Sequence, residues 1–137
     1  MFMYIKDGSQ ETLIKMPYYA CVKVNTNFKR LFTILGMSLA NIHISEIKNS
    51  KEKFLGLIIG ESYHRAIDAY YNVVIIIKEI AKETVHMELF VIGGRPLENL
   101  HSILKEASID ILKMLERQKI SYKIEEENIH YFRELVD

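Results

Sequence analysis

The sequence predicts an α+β protein, an α/β layered sandwich in which a mixed β-sheet, drawn largely from a strand-rich N-terminal half, carries two main helices. Three observations predict it. Up to about residue 60 the apolar residues come in short runs such as YYACVKV and FLGLIIG, separated by turn-forming or charged stretches such as Asp7-Gly8-Ser9 and KNSKEK. From Glu61 the apolar spacing lengthens from two to 3.6, with Ala66, Ala69, Tyr70, Val73, Ile77 and Ile80 on one helical stripe. A second stripe, Leu100, Ile103, Leu104, Ala107, Ile111, Met114 and Leu115, follows the apolar run VHMELFVI, so strands and helices alternate.

In chain order, MFMYI and ETLIKM are candidate strands, and Pro17 separates the second from YYACVKV. In that strand Tyr18, Ala20, Val22 and Val24 share one face, the better core face, while Tyr19, Cys21 and Lys23 share the other. NTNFKRLFTILG places Phe28, Leu31, Phe32 and Leu35 at helical spacing, with Asn25 or Thr26 as cap and Gly36 as stop. SLANIHISEI and FLGLIIG form a hairpin across the charged loop KNSKEK.

Residues 61–84 read as one long helix, near 62–83, with Ser62 as N-cap. A strand at YNVVIII is the rival reading, because β-branched residues lose side-chain freedom in helices; the stripe running on into KEIAKET decides for the helix. VHMELFVI is a strand ending in Gly93-Gly94-Arg95-Pro96, and Pro96 suits the first turn of a helix over 97–118. KISYKIEEE is a last strand and NIHYFRELVD a short terminal helix.

Composition limits the function classes. The 137 residues fit a single domain, 1–137, that buries its own core. Eighteen basic residues balance eighteen acidic ones, so no broad field steers nucleic acid or an anionic membrane, and no nucleic-acid partner is expected. One cysteine makes no internal disulfide, and no His, Cys and carboxylate ligands fall at zinc-site spacing; neither a metal nor a cofactor is expected. The first apolar run is too short for a signal-peptide core and no segment reaches about 18 uncharged apolar residues, which predicts a cytoplasmic protein with no membrane insertion.

Cys21 is the first candidate for chemistry, since a thiol held as thiolate is a strong nucleophile; the plainer alternative is that it packs as a small hydrophobe. Asn41, His43 and Ser45 share one face of a strand, so His43 could take the thiol proton and Asn41 or Ser45 orient its ring or donate to an oxyanion; alternation alone also predicts such a polar stripe. Gly93, Gly94 and Arg95 lie where a strand feeds a helix and could hold a phosphate or carboxylate, although a tight turn asks for the same glycines. His64, His86, His101 and His130 are scattered and read as ordinary surface, and EEEN as a solvated turn.

Taken in order, these segments resemble the CheD family of chemoreceptor glutamine deamidases. YYACVKV is similar to that family's G-S-C-V-x-V segment, GMSLANIHIS to its G-G-x-x-H-x-x-L-P strand, ELFVIGG to its K-x-F-G-G-A, and IDILKMLERQKISYKIEEE to its final helix and strand. SYHRAIDAYYNVVIIIKEI stands where the family has a long helix. The resemblance implies a cysteine and a histidine presented from neighbouring strands: Cys21 attacking a protein glutamine amide, His43 as base and acid, and Thr12 as the nearest counterpart of the family's threonine. Without gaps the family's histidine falls on Asn41, two residues before His43. The implied activity is a cytoplasmic hydrolase acting on a chemoreceptor. The alternative is a non-catalytic binding module that takes a protein or small ligand through the glycine turn and an aromatic patch of Tyr18, Tyr19, Tyr70 and Tyr71. The sequence leaves the oligomeric state open.

Overall fold

The computed structural model describes Tyr18 to Glu127 apart from residues 49–50, 65–67 and 94–100. MFMYI, ETLIKM and NIHYFRELVD lie outside the described residues. The elements are β1 (Tyr18–Val24), α1 (Phe28–Ser38), β2 (Ala40–Lys48), β3 (Phe54–His64), β4 (Ala69–Ala81), β5 (Thr84–Gly93), α2 (His101–Arg117) and β6 (Tyr122–Glu127). The six strands make one sheet in the order β2-β3-β4-β5-β1-β6. The class is α+β, mostly sheet.

The expected mixed sheet is corrected, because every neighbouring pair is antiparallel. The reason lies in the connections. Strands β2 to β5 are consecutive and form a meander of neighbours, each reversing direction. The two helices join parallel strands, β1 to β2 and β5 to β6, as helical crossovers do, but three strands lie between β1 and β2 and one between β5 and β6.

The larger correction concerns residues 61–84, where β3 and β4 replace the expected helix. In β4, Tyr71, Val73, Ile75 and Ile77 are fully buried, while Tyr70 and Ile80 are 60% and 47% exposed. Those two belonged with Val73 and Ile77 on the supposed helical stripe, and the strand separates them onto opposite faces. Five successive β-branched residues, Val73 to Ile77, favour the sheet. Both faces of β4 are apolar in its middle, which hides the period of two.

The core lies between one sheet face and the helices. As the alternation in β1 predicts, Tyr18, Ala20, Val22 and Val24 are buried, together with Val85, Met87, Leu89 and Val91 of the adjoining β5. Leu31 and Leu35 of α1, and Leu104, Ala107, Ile111 and Leu115 of α2, close the same cluster. Gly56 on β3 is fitted to it: a Cβ there would stand 3.0 Å from the Phe28 ring.

Helix α1 forms where expected but is capped by Asn27, whose Oδ1 accepts from the Arg30 backbone N–H at 2.8 Å. It also passes through Gly36 to Ser38, because Gly36 serves packing instead of termination; a Cβ there would lie 3.2 Å from Ile44 Cδ1. Helix α2 ends where the Ile120 N–H bonds back to the Leu115 carbonyl, with Lys119 left-handed at φ 58°. No helix among the described residues is long and apolar enough to cross a membrane.

Candidate functional site

Cys21 sits in the middle of β1 on the sheet face away from the helices, half-buried, opposite Glu88 of β5 and Glu126 of β6. Glu88 is held on two sides: Lys78 Nζ stands 3.2 Å from Oε1, and the Tyr19 hydroxyl donates to Oε2 at 3.2 Å. Burial, followed by the charges of Glu88, Glu125 and Glu126, pushes the Cys21 thiol above its ordinary value of 9.0, with Lys78 opposing them. A nucleophilic cysteine wants the reverse, a cationic surrounding that favours thiolate.

His43 lies on β2 and shares Cys21's sheet face: reading across the paired strands, His43 leads to Ile59, Val74, Phe90 and Tyr19. The same pairing shows their separation. Three strands lie between β2 and β1, four spacings of about 4.8 Å, or roughly 19 Å. The structure therefore does not bring Cys21 and His43 within hydrogen-bond reach, which corrects the expectation of neighbouring strands. Asn41 is also on β2, but a bulge between Asn41 and His43 breaks the two-residue alternation that would set both on one face, which corrects the expected polar stripe at that position. Thr12, Gly94 and Arg95 lie outside the described residues, and Gly93 is the buried last residue of β5, opposite Tyr71.

The histidine that register does bring near the thiol is His86, two residues from Glu88 along β5 and on the same face. Its Nε2 lies 3.3 Å from Glu125 Oε1. The expected aromatic patch is divided, since Tyr18 and Tyr71 are core residues and the Tyr18 hydroxyl is directed to Ser108 and Glu127.

Polar and aromatic groups converge elsewhere. At the end of the β3–β4 pair a cleft of about 760 Å³ is lined by Ser38, Glu61, Ser62, Tyr63, Tyr70, Asp110, Met114 and Arg117. Four elements build it. Asp110, Met114 and Arg117 fall at i, i+4 and i+7 on α2 and so share a helix face. Tyr63 and Tyr70 are directly opposed on β3 and β4, their rings 5.2 Å apart and inclined at 59°, and the Tyr63 hydroxyl donates to Asp68. The lining thus holds two carboxylates, one guanidinium and two tyrosines, with Glu61, Tyr63 and Tyr70 on strand positions of the sheet face away from the helices and Asp110, Met114 and Arg117 on α2. Sequence reading missed this set because its members are local to nothing but the fold. A smaller groove, about 340 Å³, lies between α1 and β2.

Among the described residues no three His, Cys, Asp or Glu side chains gather as a metal set. No protein-family model matches the chain, and neither a curated protein nor a solved structure does.

Proposed function

We propose that the chain is a non-catalytic binding module whose ligand is a small polar molecule with a cationic nitrogen, held in the cleft at the end of β3 and β4. The observation that carries this reading is that Glu61, Asp110, Tyr63 and Tyr70 all line one hollow of ligand size, which wraps the end of the β3–β4 pair. The carboxylates attract the cation, and the tyrosine rings offer it their negative faces. Arg117, in the same lining, suits a carboxylate or phosphate elsewhere on the same molecule. The deamidase implied by the CheD resemblance asks for a base beside Cys21, and the roughly 19 Å between β1 and β2 speaks against His43 in that role.

Calorimetric titration with tetramethylammonium, spermidine and a zwitterionic amino acid tests the reading. At least one cationic probe is expected to bind, and Glu61→Gln and Tyr70→Ala are each expected to weaken it about tenfold, equivalent to about 1.4 kcal/mol. In parallel, ammonia release is followed on a glutamine-bearing receptor helix. Absence of binding by all three probes, or ammonia release that Cys21→Ser abolishes, defeats the proposal.

A further inference from the structure

The sheet has two edges, and they are unlike. β6 is short and carries Lys123, Glu125, Glu126 and Glu127, the charged guarding that keeps an edge from pairing. β2 is nine residues long and leaves Ile44 and Ile47 43% and 61% exposed. Beside it Met37 of α1, at 82%, is the most exposed large apolar side chain among the described residues. Ile44 and Met37 lie on the helix side of the sheet and Ile47 on the other, so this edge is apolar above and below. Between α1 and β2 the groove is walled by Lys29, Phe32, Gly36, Met37, Ile44 and Glu46.

We propose that β2 pairs antiparallel, about a two-fold axis, with β2 of a second copy of this chain. The strand sets the limits of the pairing itself. A bulge between Asn41 and His43 breaks the register at one end, and Lys48, beside Glu52 at 3.8 Å, guards the other, leaving His43 to Ile47. An axis through Ile44 sets Ile44 against its copy and His43 against Ser45. An axis through Ser45 sets His43 against Ile47 and Ile44 against Glu46. Neither opposes like charges, whereas an axis through Glu46 would set two carboxylates together.

In both arrangements the helix side of one copy meets the helix side of the other, so Met37 and Ile44 of each copy close the groove of its neighbour. The formal net charge of zero removes long-range repulsion between copies. Because the pairing is two-fold and, among the described residues, the guarded β6 edges are what remains, assembly stops at the dimer.

Sedimentation equilibrium of the full chain over a dilution series is expected to give twice the chain mass, falling to the monomer on dilution. Met37→Glu, at an exposed helix position, and Ile44→Lys are each expected to shift that transition at least tenfold upward in concentration with the far-ultraviolet dichroism unchanged. In a Cys21→Ser background, Ile44→Cys and Ser45→Cys are made singly. The one on the axis forms a disulfide-linked dimer under mild oxidation, since directly opposed Cβ atoms lie about 4.5–5.5 Å apart. A monomer at every concentration, a dimer that survives the double variant Met37→Glu with Ile44→Lys, or a dimer that neither cysteine links, overturns the proposal.

Discussion

Around Cys21 a thiol shares one sheet face with three carboxylates, and this decides how it reacts. With its ionisation displaced upward by burial and by Glu88, Glu125 and Glu126, the thiol holds less thiolate at neutral pH than free cysteine does. Alkylation of the folded protein by iodoacetamide near pH 7.5 is expected to be roughly several-fold slower than that of free cysteine, and its rate to keep rising above pH 9. A rate at or above the free-thiol rate would restore the nucleophile reading. Tyr18, Tyr19 and Tyr122 are displaced in the same direction, by burial first and by neighbouring carboxylates after it. Groups raised in the folded state bind protons more tightly there than in the unfolded chain. Their stabilisation is complete below the ordinary values of 9.0 and 10.0 and is lost as pH rises through the folded ones. Thermal melts are therefore expected to show a constant midpoint from pH 7 to about 9 and a falling one above it.

Among the elements, Lys119 occupies a left-handed position at the end of α2 that glycine fills without steric cost. Lys119→Gly is expected to raise unfolding stability by about 0.5–1 kcal/mol in urea titration; a loss of stability would mean that the lysine side chain contributes more than its backbone costs. The elements also show what a sequence makes legible. β1 and α1 are readable because one face of each is apolar and the other mixed, so burial alone sets their period, and the β2–β3 hairpin is readable from the charged loop KNSKEK between two apolar runs. β4 is not. Val74 and Ile76 face away from the helices yet are half-buried on a second apolar sheet face, and with both faces apolar the run YNVVIII carries no alternation to detect. The helical stripe drawn through Tyr70, Val73, Ile77 and Ile80 then arose from apolar residues that the strand divides between two faces.

At the scale of the molecule, strand order was the part hidden from the sequence. Alternation places Cys21 with Tyr19 and Lys23, and His43 with Ser45, on one side of the sheet, as observed, while the bulge takes Asn41 out of that pattern. Which strands lie side by side depends on pairings between residues far apart in the chain, such as Cys21 with Glu88, and no local pattern reports them. The cleft residues were hidden for the same reason, since Ser38, Glu61, Tyr70 and Asp110 meet only after the sheet and both helices are assembled. The order has a measurable consequence. Cys21→Ser and His43→Ala, roughly 19 Å apart with no shared partner, are expected to be additive in a double-mutant cycle within about 0.5 kcal/mol. A larger coupling in denaturant unfolding would place the two side chains in one network.

The pairing of β1 with β6 also determines how the sheet answers a pull. The two strands are antiparallel neighbours, with Ala20 opposite Glu127 and Val24 opposite Tyr122, so the start of β1 and the end of β6 emerge side by side. Tension applied at Tyr18 and Glu127 meets the rungs between the strands singly, from that end inward, and never all at once. The outermost strand peels away one hydrogen bond at a time, and the β2 to β5 meander, which is not in the line of force, is left standing until β6 has gone.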